Sequence, residues 1–134
     1  MLRFLAAYVA VAIVFVVLDG LWLGVFALGM YRRELGALLL DRPNLGIAAI
    51  FYLLIVAGVV ILAVLPALDG GGWVNALWMG AVLGLVAYAT YDITNLSTLK
   101  GWSLTVTIAD LAWGTIVTAI AATAGTLAVG LLSL

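Results

Sequence analysis

Three aspartates lie inside or beside long apolar stretches, and they mark where this sequence could do chemistry. Asp19 and Asp110 interrupt such stretches, and Asp92 follows the end of another. On insertion scales, an Asp at the centre of a membrane-spanning helix costs about 2.5–3.5 kcal/mol, so its side chain must face protein or water, or carry a proton. Ionisable residues in such positions are candidates for ligand binding, ion coupling or proton transfer.

Each of two aspartates is followed by a tryptophan three residues later, giving the pairs Asp19–Trp22 and Asp110–Trp113. Residues at i and i+3 share one face of a helix. Counting from the helix ends at 1.5 Å per residue places both aspartates roughly 10–14 Å below the same membrane surface. Two such pairs at matching depth favour a shared pocket.

A third set of polar residues follows the same logic. Tyr88, Asp92 and Asn95 have the spacing i, i+4 and i+7, which aligns them on one helix face if the helix continues that far. Polar and aromatic residues that would surround the mouth of the pocket follow at Tyr91, Thr94, Thr98, Lys100 and Trp102. The predicted ligand-binding residues are therefore Asp19, Trp22, Tyr88, Tyr91, Asp92, Asn95, Lys100, Trp102, Asp110 and Trp113.

A purely structural role remains open for the same residues. Asp19 and Asp110 could hydrogen-bond Trp or Tyr donors and only hold helices together. Two small-xxx-small patterns, Gly20-x-x-x-Gly24 and Gly80-x-x-x-Gly84, are interpreted as close packing between helices of the bundle, with contact between copies of the chain as the alternative.

Missing residue types narrow the chemistry. The chain has no Cys, which removes disulfides, thiol nucleophiles and thiolate-bound metal, and no His, the commonest metal ligand and general base near neutral pH. We expect no metal site and no cofactor. A net charge of −1 provides no basic surface for nucleic acid.

The composition identifies the environment that must position these residues. Hydrophobic residues make up 68% of the chain and charged residues 8%, whereas soluble domains carry about 25% charged residues. This disfavours a soluble enzyme, a nucleic-acid binder and a disordered regulator. The sequence predicts an integral membrane protein.

Four apolar stretches are long enough to cross a membrane, over residues 4–28, 45–65, 74–91 and 104–132. Each is continuously apolar and too long for a strand. We expect an all-α integral membrane protein that forms a single domain over 1–134, with four transmembrane helices in an antiparallel bundle. Asp19 and the length of the first stretch argue against a cleaved signal peptide.

The connections predict further detail. Residues 66–72 are predicted to form a flexible Pro- and Gly-rich hairpin that stops the second helix, and residues 30–44 could hold a short interfacial helix. Four of the five basic residues fall on one side of the membrane, which favours that side as cytoplasmic and both termini as periplasmic. These four are Arg32, Arg33, Arg42 and Lys100.

The motifs together resemble a known family, the bacterial membrane proteins grouped as domain of unknown function 2177. The resemblance covers essentially the whole chain and implies a four-helix inner-membrane protein without implying an activity. It is carried by Asp19-x-x-Trp22-Leu23-Gly24, Arg42-Pro43-Asn44, Phe51-Tyr52, the segment from Tyr88 to Trp102 (YATYDITNLSTLKGW), and Asp110-x-x-Trp113-Gly114.

Three functions fit these patterns. The first is a carrier or binder of a small apolar, amphiphilic or cationic molecule, similar in outline to small multidrug transporters, with Asp19 as the coupling residue and two copies forming a homodimer. The second is an enzyme that uses its carboxylates on a membrane lipid or isoprenoid. The third is a structural or accessory subunit surrounded by membrane lipid. The absence of a recognised catalytic spacing weighs against the enzyme.

Overall fold

Helices account for nearly the whole chain, and four of them are long and apolar enough to cross a membrane. The computed structural model describes all 134 residues and contains no strand. This confirms the all-α membrane bundle. The helices are α1 (Leu2–Phe26), α2 (Leu28–Leu35), α3 (Leu45–Asp69), α4 (Gly72–Thr98) and α5 (Leu104–Leu131).

Helix α5 is the centre of the bundle. Half of its most apolar stretch is buried, against 28% or less for α1, α3 and α4. It packs along α4 and α1, and small or β-branched residues such as Val117, Ala121 and Ala122 form its buried face. Because these side chains are short, neighbouring backbones approach closely, which is how helices associate in lipid.

The outer faces of the bundle are apolar. Only 29 of the 134 residues are buried, and large hydrophobic side chains on every long helix are exposed. Such a surface would aggregate in water, whereas a bilayer solvates it. The exposed apolar surface and the four spans describe a multi-pass membrane protein.

The two small-xxx-small patterns differ in what surrounds their glycines. A Cβ added at Gly84 would overlap with the carbonyl oxygen of Gly114, and one at Gly80 would lie 2.8 Å from the Cβ of Ala122. Both glycines therefore let α4 lie directly against α5. Gly20 and Gly24 have open space where a Cβ would be. The interpretation of that pair as a packing contact within the bundle was wrong.

Helix α3 continues through Pro66 to Asp69, so the expectation that the hairpin begins at residue 66 was also wrong. Pro66 cannot donate a backbone hydrogen bond, and the preceding turn is a π-helix over Val60–Val64. The chain then reverses at Gly71, whose φ of 88° favours glycine.

The segment between α1 and α3 contains the expected short helix, α2. It is followed by one 3-10 turn (Gly36–Leu38) and by Asn44, whose side chain accepts a hydrogen bond from the Ile47 amide at 3.1 Å and caps α3. Leu35 is buried and α2 packs on α5. The short helix therefore covers one end of the bundle.

We expect Gly84→Ala to destabilise the protein by about 1–3 kcal/mol, because overpacking costs this much where a side chain has no room. Gly20→Ala is the matched control, since nothing lies within 4 Å of its added methyl group. The measurement is the thermal unfolding of both variants in detergent, followed by tryptophan fluorescence. Equal melting temperatures for the two variants would contradict the α4–α5 contact.

Candidate functional site

A cavity of about 930 Å³ lies at the end of the bundle covered by α2. All five helices contribute to its wall, and 16 of its 23 lining residues are hydrophobic. Its acidic and aromatic members are Asp19, Asp41, Asp92, Asp110, Trp22, Trp102, Trp113, Tyr31, Phe51, Tyr52, Tyr88 and Tyr91. A mostly apolar cavity with a few placed polar groups is the usual form of a small-molecule site.

The two Asp-x-x-Trp pairs are connected to each other across the cavity. Trp113 donates its indole N–H to Asp19 at 2.9 Å, and Trp22 donates to the Tyr31 hydroxyl at 3.0 Å, which in turn donates to Asp110. Each aspartate thus meets the tryptophan of the other pair, directly or through Tyr31. The reason is geometric, because α1 and α5 run antiparallel and the Asp of one pair lies level with the Trp of the other.

The same arrangement stacks the two indole rings. Trp22 and Trp113 lie with ring centroids 4.7 Å apart and planes 4° from parallel. Beside them, the ring of Tyr88 occupies the space that a Cβ of Gly114 would fill. The glycine after Trp113 thus admits Tyr88, and the three rings form one aromatic wall of the cavity.

Each carboxyl oxygen of Asp19 accepts one hydrogen bond. Besides the indole of Trp113 it accepts a hydrogen bond from the Tyr52 hydroxyl at 2.5 Å, and it is only 5% exposed. Two donors compensate for taking this carboxylate out of water. Asp19 therefore joins α1, α3 and α5, which is the structural role left open by the sequence.

Tyr31 connects α2 to Trp22 of α1 and Asp110 of α5 through hydrogen bonds. Burial raises the pKa of the Tyr31 phenol above its usual range, and the neighbouring carboxylate of Asp110 raises it further. The hydroxyl therefore stays protonated and donates a hydrogen bond to Asp110. A second bond, from the Ser103 hydroxyl to Glu34 at 2.8 Å, ties α2 to the start of α5.

Asp92 differs from the other two aspartates. It is 0% exposed, and neither carboxyl oxygen meets the geometry of a hydrogen bond, although the Asp110 carboxyl and the Trp102 indole lie close to it. The sequence placed it at the end of a helix beside a loop, but α4 continues six residues further to Thr98 and carries Asp92 into the cavity wall. An unpartnered buried carboxyl is costly, so this position calls for a bound cation or a proton.

None of the aspartates in the cavity lining forms an ion pair with a basic side chain. The structure contains one ion pair, between Arg33 and Glu34 at 3.6 Å, and Arg32 is the single basic residue among four aspartates in the cavity lining. Asp19, Asp92 and Asp110 do not come together in a group that could hold a metal ion. The cavity is therefore acidic without being a metal cluster.

Eight of the ten predicted site residues line this cavity, and Asn95 and Lys100 do not. Lys100 is exposed in the turn after α4. The sequence reasoning did not include Tyr31, Tyr52, Arg32 and Asp41, which also line it. A signal was present for two of them, since Tyr31 lies on the apolar face of the short helix and Tyr52 belongs to the Phe51-Tyr52 motif.

Comparison with known proteins identifies the type of protein. A family model described as "Predicted membrane protein (DUF2177)" matches residues 4–127. No curated protein and no solved structure matches the chain.

We expect Tyr31→Phe to lower the stability by about 1–3 kcal/mol, since it leaves both Asp110 and the Trp22 indole without their partner. Tyr8→Phe is the matched control, because its hydroxyl makes one exposed hydrogen bond, to the carbonyl of Leu53 at 3.0 Å. Both variants would be unfolded thermally in detergent. A Tyr31→Phe variant as stable as the control would contradict the network described here.

Proposed function

This chain belongs to the DUF2177 family of predicted membrane proteins, and we propose that it binds an amphiphilic organic cation in the cavity beneath α2. The observation that carries the proposal is the carboxyl of Asp92, which is buried in the wall of an aromatic cavity, beside Asp110 and without a basic side chain paired to it.

The charge of the cavity favours a cation. With four aspartates and one arginine in its lining, a positively charged ligand would compensate for carboxylates that the protein leaves without basic partners. An anion would be disfavoured, because it would add to the negative charge of the cavity. Opposite charge within a site of low dielectric constant is the strongest source of discrimination available here.

The aromatic residues favour an organic cation over a hydrated inorganic ion. The lining contains three indoles and four phenols, and the ring faces of Trp and Tyr attract ammonium groups by cation–π interaction. Apolar residues make up most of the remaining wall, which suits the hydrocarbon part of an amphiphile. A small hydrated metal ion would gain little from such a surface.

Asp92 is the proposed anchor of the ligand, with Asp110 beside it. Asp19 was the first candidate from the sequence, but Trp113 and Tyr52 already occupy its oxygens. A carboxyl such as Asp92 can hold either a proton or a cation. Exchange of one for the other would make the protein a carrier, whereas a site that only retains the ligand would make it a binding protein.

For the membrane orientation, we propose an inner-membrane protein with both termini in the periplasm. Arg32, Arg33, Arg42 and Lys100 lie at the end of the bundle that contains the cavity, and Arg3 lies at the other end. The positive-inside rule then places the cavity in the cytoplasmic half of the membrane.

The binding proposal predicts that tetraphenylphosphonium binds and that tetraphenylborate, of similar size and opposite charge, does not. Binding would be followed by quenching of tryptophan fluorescence in the purified protein, because three of the five tryptophans line the cavity. We expect Asp92→Asn to abolish the preference for the cation. Asp69→Asn is the matched control, since Asp69 is exposed at the opposite end of the bundle.

Equal binding of the two ions would contradict the proposal, as would an Asp92→Asn variant that folds normally and keeps the preference. Native mass spectrometry of the same samples would detect a retained amphiphile and the number of chains in the particle. Loss of stability in Asp92→Asn without loss of binding would favour the accessory role.

The orientation proposal predicts that alkaline phosphatase fused after Leu134 is active and that a cytoplasmic reporter at the same position is silent. A matched fusion in the segment between α2 and α3, at Asp41, should give the opposite pair of activities. The reverse pattern at both positions would place the cavity on the periplasmic side.

A further inference from the structure

The cavity is open on the side where α3 faces α4. No residue of α3 from Leu45 to Ile55 is buried, and burial begins at Val56. Helix α3 contacts α4 mainly through its later part, so the two helices separate towards the cavity. Phe51 and Tyr91, one on each helix, line the cavity and are nevertheless 45% and 60% exposed. They form the two sides of this lateral opening.

A second depression continues the same α3–α4 seam. It is an entirely apolar groove of about 390 Å³. Its lining residues are Leu62 on α3 and Trp78, Met79, Val82, Leu83 and Val86 on α4. The groove ends at Val86, and the cavity lining begins at the next residue, Ala87. Helix α4 therefore carries an acidic aromatic cavity and an apolar groove in direct succession.

We infer that the ligand is a membrane amphiphile whose cationic head lies beside Asp92 and whose alkyl chain leaves between Phe51 and Tyr91 to lie in the groove from Val86 to Trp78. The inference rests on the proposed function and adds to it the position of the ligand's alkyl chain. The succession of cavity and groove along α4 supports the inference, because the alkyl chain of a ligand whose charged head lies in the cavity would leave through the opening next to the groove. Leu62 and the α4 residues then provide the apolar surface beyond it.

The dimensions and location agree with such a ligand. Asp92 and Trp78 lie about 21 Å apart along α4 at a rise of 1.5 Å per residue, which is within the roughly 30 Å hydrocarbon thickness of a bilayer. A molecule of this length could enter from the surrounding leaflet without crossing water. The lateral opening would serve as that entrance.

The test uses an alkyl trimethylammonium probe that carries a diazirine at the chain end, added to the protein in lipid vesicles and activated by light. We expect mass spectrometry to find the label on residues 78–86 and on Leu62, and excess tetraphenylphosphonium to remove it. A matched probe with a neutral hydroxyl head should label the exposed faces of all four long helices without this preference.

Two variants of α4 distinguish binding of the ligand's alkyl chain from binding of its cationic head. Val82→Trp fills the groove and should abolish labelling there while leaving tetraphenylphosphonium binding unchanged. Val74→Trp is the matched control, as Val74 is exposed on α4 outside the groove. A label from the cationic probe spread evenly over all helices, or unaffected by Val82→Trp, would overturn the inference. In that case, continued tetraphenylphosphonium binding would show that the proposed function itself had not failed.

Discussion

A carboxyl group inside a membrane must be hydrogen-bonded, neutralised or brought into contact with a cation, and this constraint governs the half of the bundle covered by α2. The three buried aspartates meet it differently. Asp19 receives two hydrogen bonds, Asp110 receives the hydroxyl of Tyr31, and Asp92 receives none. The hydrogen bonds to Asp19 and Asp110 also join helices together. The carboxyl of Asp92 lacks such a hydrogen bond, and this is the physical basis for the proposed ligand.

The supporting frame follows from the direction of the helices. Because α1 and α5 are antiparallel, the two Asp-x-x-Trp pairs cross, and the indoles of Trp22 and Trp113 stack. The close α4–α5 contact at Gly84 then brings Tyr88 against Gly114 and Asp92 into the cavity wall. Small residues at one contact and large aromatic residues at the next therefore have complementary roles. One sets the distance between backbones, and the other fills or lines the space that remains.

Several features of the site were readable from residue types and spacing. The aspartates at matching depth, their tryptophans and the face formed by Tyr88 and Asp92 all line the cavity. The Phe51-Tyr52 motif marked Tyr52, but its hydrogen bond to Asp19 was not readable, because it depends on α3 lying beside α1, a contact between residues 33 positions apart. Asn95 was included from periodicity alone, and periodicity does not say where along a helix a cavity ends.

The sequence by itself determined the membrane environment, the four helices and the side on which charge collects, because length, hydropathy and the cost of a buried charge are properties of short segments. Tertiary structure decided which aspartates are satisfied, which glycines pack and where the cavity opens. Those outcomes depend on which helices become neighbours and in which direction they run. Gly20 and Gly84 illustrate the difference, since both occur in the same pattern and only Gly84 meets another helix.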